Sequence, residues 1–140
     1  MSFESLGLPA ALARAVADSG YTQPTDVQTR AIPPAMAGSD LRVSSSTGSG
    51  KTAAFVLPAL NRVLAARGDA SKRRDNKTVH GPRVLVLTPT RELAMQVAKA
   101  TDSYGRHIPG LRVATIVGGV PYHAQLKALR GPLDVLIATP

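Results

Sequence analysis

The chain has 140 residues, which is enough for one ordinary domain and too few for two with separate cores. Apolar types make up 44% of it, so a disordered or low-complexity chain is excluded. The lack of cysteine excludes a disulfide scaffold, thiolate metal sites and a cysteine nucleophile. A net charge of +8 favours a polyanionic partner, nucleic acid before a membrane surface, with charge that only serves solubility as the alternative.

Features of a secreted or membrane-spanning protein are not found in the sequence. No stretch approaches the roughly 20 apolar residues that cross a bilayer. Glu4 stands where a secretory signal would carry positive charge, and Arg14 and Asp18 interrupt the helix-like segment that follows. We therefore expect a protein that begins at Met1, stays in the cytoplasm and does not bind membranes.

The first half of the chain predicts two helices, a strand and a third helix. In chain order these elements are Leu8–Ser19, Thr25–Met36, Leu41–Ser44 and Lys51–Ala66. Thr25 is a suitable N-cap for the second helix. Pro33, Pro34 and Gly38 are expected to end that helix, and Pro58 is expected to kink the third.

The second half opens with a break in composition at residues 67–82, which hold six basic residues beginning with Arg67. This segment is typical of a solvated loop, with a second RNA site as the alternative. The elements after it alternate between strand and helix, at Arg83–Thr88, Arg91–Tyr104, Arg112–Val117, Pro121–Arg130 and Leu133–Ala138. The apolar run Arg83–Thr88 is typical of a parallel strand buried on both faces. Together the elements predict an α/β domain with a mostly parallel sheet.

The sharpest chemical signal lies between the strand candidate Leu41–Ser44 and the helix that starts at Lys51. Glycines there let the backbone fold tightly, so that successive N–H groups point at phosphate oxygens, and the helix adds its positive N-terminal end. Lys51 would reach the β- and γ-phosphates, and the Thr52 hydroxyl would ligate Mg²⁺. An ordinary Gly/Ser-rich turn is the alternative. The predicted phosphate loop comprises Ser45, Ser46, Thr47, Gly48, Ser49, Gly50, Lys51 and Thr52.

Such a loop is shared by kinases, GTPases, transporters and helicases, and other segments distinguish among these classes. Their order and spacing resemble those of the DEAD-box RNA helicases over the whole chain. The matching segments are Phe3 with Gly20–Gln28 (Q motif and its upstream aromatic), Ser45–Thr52 (motif I), Pro89–Ala94 (motif Ia), Gly118-Gly119 (GG motif) and Ala138–Pro140 (start of motif Ib). Ser45 and Ser46 depart from the Ala and Gln that are common in the family, whereas Lys51 and Thr52 are kept.

The resemblance implies a RecA-like P-loop domain, with residues 1–29 as the Q-motif segment, 30–140 as a partial ATP-binding domain, and 67–82 as a basic loop within it. The family's Asp-Glu-Ala-Asp and Ser-Ala-Thr motifs and its second domain would follow Pro140. The sheet is therefore expected to be truncated before its last strands. Leu41–Ser44 should then have no strand neighbour, because in the family the strands of those two motifs lie between it and Arg83–Thr88.

The function implied by the resemblance is that of an ATP-dependent RNA helicase, which uses ATP and Mg²⁺ to unwind short duplexes. Residues 1–140 alone are expected to be inactive. The alternative is a truncated, non-catalytic nucleotide- or RNA-binding module. A small-molecule kinase is disfavoured by the Q motif and by Pro89–Ala94.

Gln28 and Phe3 each have a structural alternative to the role that the resemblance implies. Thr25 and Gln28 have the spacing of a capping box, in which the Gln side chain bonds the N-cap backbone. The resemblance implies that the Gln28 amide instead accepts from adenine N6–H and donates to N7, a pairing that a carboxylate cannot reproduce. It also implies that Phe3 stacks on adenine, whereas packing on the first helix is the alternative.

The resemblance assigns RNA-backbone contacts to Pro89, Thr90, Arg91, Gly118, Gly119 and Thr139. Contacts to phosphate and 2′-OH carry little base information, so binding should not depend on RNA sequence. A helix first turn and an ordinary Gly-Gly turn are the structural alternatives. His80, His107 and His123 lack metal-ligand spacing and are expected to be surface or loop residues.

Overall fold

The computed structural model describes residues 2–46, 48, 50–67, 81–130 and 132–140. These residues form an α/β fold, opened by a short 3₁₀ turn at Glu4–Leu6. The helices are α1 (Ala10–Asp18), α2 (Asp26–Met36), α3 (Lys51–Arg67), α4 (Arg91–Tyr104) and α5 (Tyr122–Ala128). The strands are β1 (Val84–Leu87), β2 (Val113–Ile116) and β3 (Val135–Ala138). Helix α2 continues through its two prolines, and α3 continues through Pro58.

The three strands form a parallel sheet in the order β1-β3-β2. Val84 of β1 and Val113 of β2 both lie opposite Val135 of β3. The strands therefore start and end level with one another. The sheet has one edge where all three strands begin, the amino edge, and one where all three end, the carboxyl edge. The predicted mostly parallel α/β sheet is confirmed.

The hydrophobic core lies between the sheet and the helices that pack on it. Helix α3 contacts α1, α2, α4 and β1, so it is the central helix of the core. Fully buried side chains in this core are those of Leu12, Ile32, Leu57, Leu60, Val63 and Ile137. Phe3, Leu6 and Leu8 belong to the same cluster, so the segment before α2 packs on the body of the fold.

The strand predicted over Leu41–Ser44 is not formed in the described part of the chain. A strand requires hydrogen-bonded neighbours, and neither β1, β2 nor β3 pairs with this segment. Leu41 and Val43 are left exposed. In the part of the chain that the structure describes, this segment has no strand neighbour, as the family resemblance led us to expect.

The expected burial of β1 on both faces is wrong for one face. Val84 and Val86 pack against the core, but Leu85 and Leu87 on the opposite face are 57% and 64% exposed. No element in the described ranges covers that face. Burial depends on which elements lie nearby, so an apolar run in the sequence could not predict this exposure.

Candidate nucleotide and RNA site

The phosphate loop leads into the first turn of α3. Gly48 and Gly50 have positive φ angles of 82° and 89°, the left-handed conformation that glycine adopts most readily. The Lys51 ammonium donates to the Ser45 carbonyl at 2.7 Å, so this side chain folds back across the loop. Thr52 lies half-buried one residue further along α3. Of the predicted phosphate-loop residues, Thr47 and Ser49 lie outside the described residues.

The Q-motif glutamine is joined to the phosphate loop by a hydrogen bond. Gln28 is 5% exposed, and its Nε2 donates to the carbonyl of Gly50 at 3.2 Å. Its Oε1 accepts from the Thr25 backbone N–H at 3.0 Å, and the Thr25 hydroxyl accepts from the Gln28 backbone N–H. The capping box is therefore present. Beyond these two side-chain bonds the amide keeps one N–H and one oxygen lone pair.

Gly50 must be glycine for this contact as well as for its φ angle. A Cβ built on it would lie 2.4 Å from Gln28 Nε2 and 3.0 Å from the Thr25 hydroxyl. The Gly50 carbonyl also accepts from the Ala54 backbone N–H, the first hydrogen bond of α3. The Q motif thus packs directly on the residue at which the phosphate loop becomes helix.

Phe3 is buried in the core and lines a cleft of about 250 Å³ beside the end of α1. Tyr21 and Thr22, from the start of the Q motif, form another part of its wall. The phenol of Tyr21 is a neighbour of the Tyr104 phenol of α4. Burial, and then the neighbouring Tyr21, raise the pKa of Tyr104 to about 12. Phe3 therefore packs in the core, as the structural alternative to adenine stacking predicted. Part of its surface lines a cleft next to the Q motif.

The segments predicted to contact RNA come together at the carboxyl edge of the sheet. Thr90 follows β1, Gly118 follows β2 and Thr139 follows β3, each within three residues of the strand end. The sheet hydrogen bonds continue up to this point, because the Thr139 N–H donates to the Ile116 carbonyl at 3.1 Å. Motifs that lie about 50 residues apart in sequence thus share one edge.

Thr90 and Arg91 open helix α4 at this edge. The Thr90 hydroxyl accepts from the Leu93 backbone N–H at 3.2 Å, so Thr90 is the N-cap of the helix. Arg91 is exposed, and its Nη1 lies 2.9 Å from the position that a Cβ on Gly119 would occupy. Pro89, just before the cap, is exposed as well. Motif Ia and the GG motif are therefore in contact with each other.

A buried ion-pair cluster at the amino edge was missed by sequence analysis. Asp134, immediately before β3, contacts Arg67 at 2.7 Å and Arg83 at 3.4 Å, and it accepts from the Arg112 backbone N–H at 3.0 Å. The side chains of Arg67 and Asp134 are only 2% and 6% exposed. Arg67 is thus the buried last residue of α3, and its assignment to the basic loop was wrong. Residues 68–80 of that loop lie outside the described residues.

A second missed contact lies between α1 and the turn after α4. His107 Nε2 lies 2.6 Å from a carboxylate oxygen of Asp18, and both side chains are partly exposed. The hydrogen bond to His107 and the positive charges of Arg106 and Arg14 lower the pKa of Asp18. His107 is in a loop, as predicted, but it has a hydrogen-bond partner in Asp18. His123 is exposed, and His80 lies outside the described residues.

Neither a metal-binding cluster nor a membrane-spanning helix is found among the described residues. Within the described ranges, no three His, Cys, Asp or Glu side chains group closely enough to hold a metal ion. Among the helices in the described part of the chain, none has the length and apolar character needed to span a bilayer.

A parallel α/β sheet with a glycine-rich loop before its central helix is typical of P-loop nucleotide-binding domains, of which the RecA-like domains are one group. The family model for DEAD/DEAH box helicases matches residues 25–140. The chain belongs to the DEAD/DEAH box helicase family.

Similar proteins include DEAD-box ATP-dependent RNA helicase 52A of Oryza sativa subsp. japonica, which is 44% identical over 99% of this chain. ATP-dependent RNA helicase SrmB of Escherichia coli is 42% identical, again over 99% of the chain. The chain covers 23% and 29% of these two relatives. Among solved structures, the RNA helicase Prp28 from Chaetomium thermophilum bound to ADP superposes with a TM-score of 0.82 at 39% identity, over 99% of this chain and 32% of that one.

Proposed function

We propose that the full-length protein containing this chain is an ATP-dependent RNA helicase that unwinds short duplexes. The observation that carries the proposal is the joint placement of its motifs. The Q motif contacts the predicted phosphate loop through Gln28 and Gly50, and the three segments predicted to contact RNA follow the strands at the carboxyl edge. A non-catalytic nucleotide- or RNA-binding module is not favoured, because the relatives that match the chain are named ATP-dependent RNA helicases.

In the nucleotide site, Ser45 to Thr52 would surround the ATP phosphates with backbone N–H groups. Lys51 would exchange its bond to the Ser45 carbonyl for the β- and γ-phosphates, which are stronger acceptors. Bound Mg²⁺ would neutralise phosphate charge, with the Thr52 hydroxyl as a ligand. Gln28 would use its remaining N–H and lone pair on adenine, and Phe3 would stack on the base from the cleft wall.

The RNA site would be the carboxyl edge, formed by Pro89, Thr90, Arg91, Gly118, Gly119 and Thr139. The guanidinium of Arg91 supplies five N–H donors in a fork that fits a phosphate. Backbone N–H groups after the strands can donate to phosphate as well. Since none of these contacts requires a base edge, we expect binding to be independent of RNA sequence.

The wider organisation follows from the same proposal. Residues 1–29 form the Q-motif segment and residues 30–140 part of the ATP-binding domain, and the protein works in the cytoplasm. Residues 1–140 contain no Asp-Glu pair of the kind that assists hydrolysis in the family. We therefore expect this segment alone to bind nucleotide without turning it over.

The proposal is tested by ATP hydrolysis of the full-length protein with and without RNA. RNA should stimulate hydrolysis, and Lys51→Ala should abolish it while leaving the melting temperature unchanged. Arg62→Ala is the matched control, because Arg62 is an exposed cation on the same helix. Hydrolysis that RNA does not stimulate, or that survives in a folded Lys51→Ala protein, would contradict the proposal.

A further inference from the structure

We propose that Gly119 positions the guanidinium of Arg91 to bind an RNA phosphate. The second glycine of the GG pair, which has no side chain, leaves the space that the arginine occupies. The inference rests on the proposed RNA-binding function of the carboxyl edge. It differs from the explanation that the glycines let RNA approach their own backbone, which would place RNA where a Cβ would be.

The two glycines have different surroundings. Gly119 has a φ of +84°, and a Cβ built on it would lie 2.9 Å from Nη1 and 3.9 Å from Cζ of Arg91. The guanidinium thus occupies the space in which a side chain at residue 119 would begin. A Cβ on Gly118 meets nothing within 4 Å. Only the second glycine of the pair is in contact with Arg91.

Arg91 has its guanidinium beside Gly119 without a polar partner among the described residues. Its guanidinium has no hydrogen bond or ion pair to any other residue in the described part of the chain. Its N–H donors are therefore available to a ligand. A long side chain that rests on a bare backbone also loses less conformational freedom on binding than one that moves freely in solvent. Gly119 thereby pre-organises a cation at the edge of the sheet where the RNA-contact segments meet.

The test is a double-mutant cycle on RNA affinity in the full-length protein, with Gly119→Ala, Arg91→Ala and the double variant. The added Cβ would require the guanidinium to leave this position, so Gly119→Ala should weaken RNA binding, by no more than Arg91→Ala does. It should also reduce the salt dependence of binding by about one phosphate contact. In the double variant the loss of RNA affinity should be no larger than in Arg91→Ala alone, because the arginine that Gly119 positions is already absent.

Two further variants separate this effect from backbone strain. Gly38→Ala introduces a Cβ at a φ of +94° with nothing within 4 Å, so it carries similar strain away from the site. It should lower the melting temperature without changing RNA affinity. Gly119→Asn keeps the clash but tolerates the left-handed conformation better than Ala, and it serves if Gly119→Ala does not fold.

The possible outcomes discriminate between the hypotheses. Additive losses in the double variant would overturn the inference, since RNA itself would then need the space beside Gly119. RNA affinity that is unchanged in Arg91→Ala would also overturn it. If the unmutated protein binds no RNA at all, the proposed function itself fails.

Discussion

The side-chain amide of Gln28 donates to the backbone carbonyl of Gly50, 22 residues later, and so fastens the start of α2 to the start of α3. The same amide accepts from Thr25 within the capping box. One glutamine therefore couples the Q motif to the phosphate loop. Any ligand that engages this amide will act on both segments.

Replacing Gln28 should affect stability and nucleotide selectivity together. In Gln28→Glu the carboxylate can still accept from Thr25, but it can no longer donate to the Gly50 carbonyl. We expect a stability loss of about 1–3 kcal/mol from this buried, mismatched polar contact. We also expect weaker ADP binding, measured by calorimetry beside thermal unfolding. The control is Gln23→Glu, at an exposed glutamine of the same motif. Equal affinity of the unmutated protein for ADP and GDP would refute adenine recognition.

Gly50→Ala should lower the free energy of unfolding more than the same replacement at a glycine elsewhere with a similar φ angle. Its Cβ would collide with the Gln28 amide at 2.4 Å, whereas Gly20, with a φ of +90°, has nothing within 4 Å. Overpacking of this kind costs about 1–3 kcal/mol beyond the backbone strain that both variants share. Denaturant unfolding of Gly50→Ala and Gly20→Ala measures the difference. Equal losses would show that the Gln28 contact does not constrain residue 50.

The Asp134 cluster should make a large contribution to stability. Asp134→Asn removes the charge that balances Arg67, a guanidinium that is 2% exposed, and breaking a buried pair in this way costs about 3–5 kcal/mol. The pair formed by Arg30 and Asp26 is the control, because both side chains are more than 80% exposed. There, Arg30→Ala should cost less than about 1 kcal/mol. Similar unfolding midpoints for the two variants would contradict the importance of the buried cluster.

Alkaline pH should destabilise the fold through Tyr104. Its phenol ionises near pH 10 in an unfolded chain, but in the folded chain burial and Tyr21 raise its pKa to about 12. The folded state therefore binds the proton more tightly. The contribution of Tyr104 to the free energy of unfolding should be fully present below pH 10. It should be lost progressively as the pH rises to about 12, by up to about 2–3 kcal/mol. Urea unfolding across this range should show the loss in the unmutated protein and in Tyr122→Phe, which alters an exposed tyrosine, but not in Tyr104→Phe. A loss that persists in Tyr104→Phe would refute the assignment.

Sequence patterns predicted those features that depend on local spacing or on parallel pairing. The capping box of Thr25 and Gln28 follows from three-residue spacing, and the alternation of strands and helices predicted the parallel sheet. Once the strands are parallel, segments that follow them must share an edge. The segments predicted to contact RNA were grouped by the family resemblance, and the parallel sheet explains why they share an edge.

Contacts between residues distant in sequence could not be predicted in this way. Arg67 begins a basic run, so its pattern favoured solvent, and its partner Asp134 lies 67 residues later. The available signal was an aspartate within the apolar run Leu133–Ala138, since a carboxylate there needs a partner. The position of the Arg91 guanidinium beside Gly119 likewise depends on how the ends of two strands lie relative to each other.

The most direct test of the central claim is strand separation by the full-length protein on two short RNA duplexes of unrelated sequence. Both should be unwound at similar rates with ATP, and neither should be unwound with GTP or by the Lys51→Ala variant. This result is expected because Gln28 would select adenine and the carboxyl edge would contact only the RNA backbone. Failure to separate either duplex with ATP, or separation of only one of them, would contradict the account.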